Sequence, residues 1–378
     1  YDYQAPLGEF GLEHESYRTL RLLHSFLADF ADRLAPMETV LPEGYEKMTP
    51  DNRETLRYAA RMKAGSGFVF MVNFQDTARI DQKDLQLRLK LNNETIQIPA
   101  KGSFTLPKDE SVILPFNFLM EDALLKYATA QLLMKIDDNG KEHYFFFTPD
   151  GMNTEYVFDK ATVRGKNQFA PVPGLKSTFS IRTKAGKEVK ITTLTREQAL
   201  NSCKIDGKLL ITEATVLPGS GEVQLLSLGN NKFEYVLYPS KQGFKPYIKE
   251  VEIVKPDFSY KKVGARRLTV HFDDKMQAPQ VQEYFLRLNY TGDVAMAFMN
   301  GTLVLDHFYH GAPWTIGLKR FSQQMKKEDL SFYFRPLRSD APFLIDLPKE
   351  AIPDFSKGAV CTINHVEVVP EYITTIKF

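Results

Sequence analysis

One long amphipathic helix, followed mostly by short strand-like runs, is the feature that most constrains this chain. From about Glu13 to Leu34, apolar residues recur at three- and four-residue steps, which predicts a helix with one wide apolar face. Pro36 is expected to end it. The few residues before this helix are too short a segment to cover its apolar face. We therefore expect the helix to pack on the strands that follow or on another copy of the chain, and we expect further sequence upstream.

After this helix the apolar residues recur at every second position, in short runs bounded by turn residues. This pattern predicts antiparallel strands, and the turn Asp137-Asp138-Asn139-Gly140 predicts a hairpin. A short helix is expected at Arg196–Ser202. The strands predicted before residue 240 are Thr55–Met62, Phe68–Phe74, Leu85–Leu91, Thr95–Ile98, Ser111–Phe118, Thr129–Ile136, Tyr144–Phe147, Tyr156–Phe158, Thr178–Arg182, Glu188–Leu194, Leu209–Leu217, Glu222–Leu228 and Phe233–Tyr238.

A third block of strands follows Lys241–Gly264, a segment whose lysines and prolines predict a linker. The spacing of the later strands is typical of a sandwich or jelly roll. The fold class predicted for the whole chain is mainly β, with β-sandwich or jelly-roll domains preceded by one helix. The strands predicted in this block are Arg267–Phe272, Phe285–Tyr290, Asp293–Met299, Thr302–Phe308, Leu330–Phe334 and Ala359–Val369.

The balance of charge argues against several classes of partner. Lys and Arg number 48 against 47 Asp and Glu, so no net field attracts the chain to nucleic acid or to an anionic membrane surface. No apolar run approaches the ~20 residues that span a bilayer, so membrane insertion is not expected. The two cysteines, Cys203 and Cys361, are too few for a disulfide scaffold and lack zinc-site spacing.

No catalytic motif stands out, and we expect no cofactor and no metal. His307, His310 and Trp314 lie close together in the sequence, beside Phe308 and Tyr309. Such a cluster is explained best as aromatic packing at one end of a jelly roll, less well as a carbohydrate-stacking site and least well as a metal site. If the aromatic residues around Trp314 are exposed, sugar binding is favoured, whereas a buried Trp314 favours a structural role.

The acidic residues near the start of the chain raise the question of a hydrolytic carboxylate pair. Glu9, Glu13 and Glu15 lie within seven residues of one another. Glu13 and Glu15 fall in the predicted first helical turn, where the helix dipole favours anions, and this explains the group more simply than catalysis does.

The first residues resemble a known family. The opening Tyr1-Asp2-Tyr3-Gln4-Ala5-Pro6-Leu7, followed by Glu9 and Gly11, is similar to the segment that closes the catalytic barrel of glycoside hydrolase family 35 β-galactosidases, where the usual string is S-Y-D-Y-D-A-P-[LI]-x-E-x-G. Residues 67–75, with 104–107 and 111–115, resemble the first β domain after that barrel. Residues 292–319 resemble the galactose-binding-like jelly roll near the end of these enzymes, and the overall form resembles bacterial members.

This resemblance implies a particular organisation and particular site residues. Residues 1–36 would be the last strand end and last helix of a (β/α)₈ barrel, 37–160 a first β domain, 161–255 a second β-rich segment or a continuation of the first, and 256–378 the C-terminal jelly roll. Tyr1 and Tyr3 match tyrosines that line the galactose pocket, and Asp2 matches a residue that supports their geometry. Gln4, at the edge of that pocket, departs from the usual Asp, which leaves the subsite preference open. Tyr309, His310 and Trp314 form the candidate carbohydrate-contact cluster.

The resemblance also implies a role for the chain within a longer protein. Retaining members use two glutamates ~5–5.5 Å apart, from barrel strands outside this chain, so no catalytic residue is expected here and the chain alone is expected to be inactive. It would be an accessory region of a secreted, periplasmic or cell-surface β-galactosidase that removes terminal β-linked galactose. Its partners would be the catalytic barrel, galactose-containing glycans reached through the parent enzyme, or a second copy of the chain. The alternative is a stand-alone carbohydrate-binding or dimerisation module.

Overall fold

Strands are the predominant secondary structure of this protein, as the sequence predicts. The structure, a computed structural model, describes residues 5–74, 80–272 and 277–377. The chain folds into two compact units. The helix unit comprises residues 15–212 and 235–247, and the sandwich unit comprises the described residues within 1–14, 213–234 and 248–378. The four-part domain scheme drawn from the sequence stays a prediction.

The elements up to residue 212 alternate short strands with tight turns. They are α1 (Glu15–Leu34), β1 (Glu38–Val40), β2 (Arg57–Lys63), β3 (Ser66–Val72), β4 (Gln82–Leu85), β5 (Leu87–Lys90), β6 (Thr95–Ile98), β7 (Phe104–Leu106), β8 (Ser111–Met120), β9 (Ala123–Ala128), β10 (Gln131–Asp137), β11 (Glu142–Phe147), β12 (Tyr156–Phe158), β13 (Val163–Arg164), β14 (Gln168–Phe169), β15 (Phe179–Thr183), β16 (Glu188–Leu194), α2 (Arg196–Leu200), β17 (Ser202–Ile205) and β18 (Lys208–Thr212).

The remaining strands lie between residues 215 and 377, with short 3₁₀ turns at Lys319–Phe321, Pro342–Asp346 and Lys349–Ala351. They are β19 (Thr215–Pro218), β20 (Glu222–Leu228), β21 (Lys232–Tyr238), β22 (Tyr247–Glu250), β23 (Phe258–Val263), β24 (Arg267–Phe272), β25 (Val281–Thr291), β26 (Val294–Met299), β27 (Thr302–Phe308), β28 (Trp314–Gly317), β29 (Leu330–Phe334) and β30 (Thr362–Lys377).

The helix unit contains two principal sheets. One has the order β1-β2-β3-β8-β9-β12-β14, and the other has the order β10-β11-β16-β15-β13. Nearly all neighbours pair antiparallel, but β11 and β16 run parallel. The Asp137-to-Gly140 turn joins β10 to β11 as predicted, with Asn139 and Gly140 at φ 57° and 79°. Positive φ at both positions is the conformation that an Asn-Gly hairpin turn requires.

The helix α1 finds its partner surface on the strands of its own unit. Phe26 packs edge-on against Phe68 with ring centroids 5.0 Å apart, and Phe30 packs against Phe118 at 5.8 Å. Leu22 joins a buried cluster that includes residues of β10. Burying each such side chain stabilises the fold by roughly 1.5–3 kcal/mol. The prediction that this helix packs on the β region is therefore confirmed, with its start at Glu15 and its end at Leu34.

We expect the amides from Leu20 to Phe30 to exchange slowly with solvent in the isolated chain. The reason is that Phe26 and Phe30 are 0% and 2% exposed, so their helix cannot open without uncovering a buried aromatic cluster. Hydrogen exchange read by mass spectrometry checks this, with the exposed turn at residues 50–54 as the rapidly exchanging reference within the same sample. Exchange of the helix at the coil rate would contradict the packing.

The sandwich unit consists of two five-stranded antiparallel sheets. Their orders are β19-β20-β30-β25-β28 and β23-β24-β29-β26-β27. Buried residues from both sheets form one apolar core, which includes Leu286, Trp314, Phe332 and Val368. The mainly β, sandwich-type fold class predicted from the sequence is thus confirmed. The Asn300-Gly301 turn between β26 and β27 again has positive φ at both residues, 46° and 74°.

Two sequence predictions about this region are wrong. The supposed linker Lys241–Gly264 contains β22 and β23. β23 is an edge strand with mostly exposed side chains, so the alternating apolar signal of a half-buried strand is absent. The strand predicted at Ala359–Val369 begins at Thr362 and continues through Pro370 to Lys377. Proline is rare inside a sheet, so Pro370 suggested that the strand ends at Val369, although it continues.

Candidate functional site

The residues that carry the family resemblance most strongly, Tyr1, Asp2, Tyr3 and Gln4, lie outside the described residues. Their roles beside a galactose pocket stay predictions. The candidate site that the structure does describe is the aromatic and histidine cluster between the end of β27 and the start of β28, in the sandwich unit.

Trp314, the only tryptophan of the chain, anchors this cluster in the core. Only 4% of its surface is exposed. The His307 ring stacks on it, with centroids 5.3 Å apart and planes 14° from parallel, and Phe332 meets it edge-on at 5.6 Å. By the criterion set from the sequence, this burial favours a structural role for Trp314.

The neighbouring rings are fixed by hydrogen bonds. The Tyr290 hydroxyl lies 2.8 Å from Nδ1 of His307 and 3.2 Å from the His307 carbonyl oxygen. Burial raises the pKa of Tyr290, so this hydroxyl keeps its proton. Tyr309 is also buried, and its hydroxyl donates to the Ala351 carbonyl at 2.9 Å. Tyr309 therefore belongs to the core, and of the three residues in the predicted contact cluster only His310 is partly accessible to solvent.

A cavity of about 410 Å³ opens beside this cluster. It lies between β27, β28 and the segment of residues 5–9, all within the sandwich unit. Its size falls within the usual range for small-molecule sites, roughly 300–1,000 Å³. Besides the stacked His307 and Trp314, the residues that line it include Leu7, Glu9, Asp306, Phe308, His310 and Thr315.

Metal chemistry finds no support in the part of the chain that the structure describes. No group of three His, Cys, Asp or Glu side chains there is placed to hold a metal ion. Within the same residues, no helix is long and apolar enough to cross a membrane.

A second constellation, which sequence reasoning missed, is a pair of carboxylates in the sheet that contains β25 and β30. Glu283 and Glu371 are direct partners in the antiparallel ladder. Burial, and after it the nearby Glu283 carboxylate, raise the pKa of Glu371 to about 7. Burial also raises the pKa of Glu283. A pair of carboxyl groups is what glycoside hydrolysis uses.

The surroundings of this pair do not suit a hydrolytic site. Glu371 is only 8% exposed. One Glu283 carboxylate oxygen accepts hydrogen bonds from the backbone N–H groups of Tyr284 and Lys319, both at 2.8 Å, so it holds the chain in place. A cavity of about 570 Å³ beside Glu283 is not lined by Glu371. This cavity is therefore not flanked by both carboxylates, as a site for hydrolysis of a glycosidic bond would be.

Comparison with known proteins identifies one region of the chain. Residues 42–213 match the family model for domain 2 of β-galactosidase. These residues are therefore a β-galactosidase-related, non-catalytic region, and they lie almost entirely within the helix unit. No curated protein matches the chain.

Two solved structures have weak similarity to the chain. An α-xylosidase of glycoside hydrolase family 31 from Xanthomonas citri is 10% identical, with 89% of this chain and 38% of that chain covered and a TM-score of 0.13. A secreted serine protease from Vibrio cholerae is 8% identical, with 86% and 52% covered and a TM-score of 0.10. Scores this low carry no argument about fold or function. The chain spans only about 38% and 52% of these two proteins.

Proposed function

We propose that this chain is the accessory, non-catalytic part of a secreted retaining β-galactosidase of glycoside hydrolase family 35. The observation that carries the proposal is the match of residues 42–213 to β-galactosidase domain 2. The resemblance of the opening Tyr1-to-Gly11 motif to the end of the family's catalytic barrel supports the same parent enzyme. On this proposal the parent removes terminal β-linked galactose outside the cytoplasm, with its catalytic glutamates on a barrel upstream of this chain.

The packing of the helix unit supports a scaffolding role. Its helix α1 is held by the aromatic residues Phe26 and Phe30 against the strands that follow. A terminal barrel helix attached in this way would tie the barrel to the first β domain. The proposed partners are therefore the catalytic barrel and, through the parent enzyme, galactose-containing glycans.

We expect the purified chain to release no nitrophenol from nitrophenyl β-galactoside above the buffer rate. The physical reason is that the Glu283 carboxylate already accepts two backbone N–H groups, and the cavity beside it is not lined by Glu371. The assay includes Glu283→Gln and Glu371→Gln as matched variants. Turnover that survives repurification and is lost in either variant would overturn the non-catalytic assignment.

A further inference from the structure

The cavity beside Trp314 combines an accessible aromatic ring with an unpaired carboxylate. Phe308 at the end of β27 is 47% exposed, although it is a large apolar side chain. The Asp306 side chain, two residues earlier on the same face of the strand, is exposed and makes no hydrogen bond or ion pair to the residues the structure describes. An apolar surface next to a hydrogen-bond acceptor is the usual composition of a small-molecule site.

The charges around the cavity narrow the class of ligand. Its described lining contains the carboxylates of Glu9 and Asp306 but neither lysine nor arginine. The Asp306 carboxylate disfavours an anionic ligand such as a phosphate or a sugar acid. The Glu9 carboxylate already pairs with Arg320 at 2.8 Å, so Asp306 is the lining carboxylate that has no partner among the described residues. An uncharged ligand with many hydroxyl groups fits this lining, because hydroxyls donate to carboxylates.

The floor of the cavity is preorganised. Trp314 is fixed by the stack with His307 and by the edge-on contact with Phe332. His307 is in turn held by Tyr290. A site whose walls are already ordered pays little conformational entropy when a ligand binds.

From these features we propose that the cavity binds one pyranose unit of a neutral glycan. The apolar face of the sugar ring packs against Phe308, and its hydroxyls donate to Asp306. This inference rests on the proposed glycan-processing function for the choice of sugar class, and it assigns Trp314 to the floor of the site. The ligand contacts come from Phe308, which the sequence analysis already placed beside this cluster, and from Asp306, and His310 and Thr315 lie on the same lining.

Trp314 provides a direct readout because it is the only tryptophan and lines the cavity. The experiment titrates the full chain with methyl β-galactoside and methyl β-glucoside and follows the tryptophan emission. We expect a saturable change with Kd on the order of 1 mM. Phe308→Ala and Asp306→Asn should each weaken binding about tenfold. Leu303→Ala is the matched control, since Leu303 is a 49% exposed apolar residue of the same strand that does not line the cavity.

Three results would overturn the proposal. The first is no saturable change with either glycoside at high millimolar concentration. The second is equal affinity in the wild type and Phe308→Ala, which would place the sugar elsewhere. The third is saturation by tetramethylammonium but not by glycosides, because an aromatic ring beside carboxylates also suits a quaternary ammonium ion.

The outcome of this titration is separable from that of the proposed function. A chain without sugar affinity would still be the accessory region of a β-galactosidase if it showed no turnover with the chromogenic substrate. Conversely, sugar binding by a chain that hydrolyses the substrate would keep the cavity assignment and reject the non-catalytic one.

Discussion

Replacement of Trp314 by alanine is expected to destabilise the sandwich unit by about 3–5 kcal/mol. The side chain is 4% exposed and belongs to the core shared by both five-stranded sheets. Its loss would leave a void beside Phe332 and would remove the ring on which His307 stacks. We expect a drop in Tm on the order of 10 °C for this unit.

Circular dichroism and calorimetry of the wild type and the variant measure this effect without using tryptophan emission. Phe308→Ala is the matched control, because it removes an aromatic ring from the same cluster that is 47% exposed. Its Tm should remain close to that of the wild type. A Trp314→Ala chain with an unchanged Tm would show that Trp314 does not support the core.

The sequence predicts those parts of the fold that depend on local patterns. The α1 helix follows from a strong three- and four-residue period, and its bounds differ from the prediction only by two residues at the start. The hairpin at Asn139-Gly140 follows from the freedom of these residues to adopt positive φ. β23 was missed because an exposed edge strand carries no apolar alternation.

The candidate site is predictable only where its residues are neighbours in the chain. The proximity of His307, His310 and Trp314 is visible in the sequence, but the burial of Trp314 depends on strands from both sheets. The contact of Tyr290 with His307 likewise arises only when the sheets pack on each other. Glu283 and Glu371 meet because β25 pairs with β30. No local pattern marks that register, since a single acidic residue in a strand normally faces solvent.

A buried histidine in the helix unit illustrates the same limit and leads to a pH effect. His143 is 1% exposed and stacks on Phe145 with centroids 4.4 Å apart. Its Nδ1 lies 2.8 Å from the Tyr238 hydroxyl, and its Nε2 lies 2.7 Å from the Thr192 hydroxyl. Tyr238 donates its own proton to the Asp138 carboxylate at 2.8 Å.

These bonds fix the protonation state of the ring. Because Tyr238 donates to Asp138, its oxygen accepts from Nδ1–H of His143, and Nε2 is left to accept from Thr192. A second proton on the imidazole would have to displace the Thr192 hydrogen bond in a buried setting. Burial, and after it the nearby positive charge of Lys190, lower the pKa of His143 from 6.5 to about 4. The opposing effect of the Asp138 carboxylate is smaller.

We expect the helix unit to lose about 3 kcal/mol of stability through His143 as the pH falls from 7 to below 4. The unfolded chain binds the proton near pH 6.5 and the folded chain only near pH 4, so protons favour the unfolded state throughout this window. This contribution is fully present above pH 6.5. Urea unfolding of the wild type and of His143→Gln gives the free energy of unfolding at pH 7 and at pH 4. The contribution of His143 is the difference between the changes that the two proteins show over this pH range. Glutamine is chosen because it keeps one hydrogen-bond donor and one acceptor.

Two matched variants separate this effect from general acid denaturation. His24→Gln replaces an exposed histidine of α1 and controls for the loss of one histidine from the chain. In the sandwich unit, Glu371 should affect the pH dependence of the unfolding free energy in the opposite direction, and Glu371→Gln should remove this effect. The Glu371 pKa is raised to about 7, so its ionisation destabilises the folded state as the pH rises from 4.5 through 7, and removal of the charge should stabilise that unit at neutral pH.

An identical pH dependence in the wild type and His143→Gln would show that the buried imidazole is not held in its neutral form.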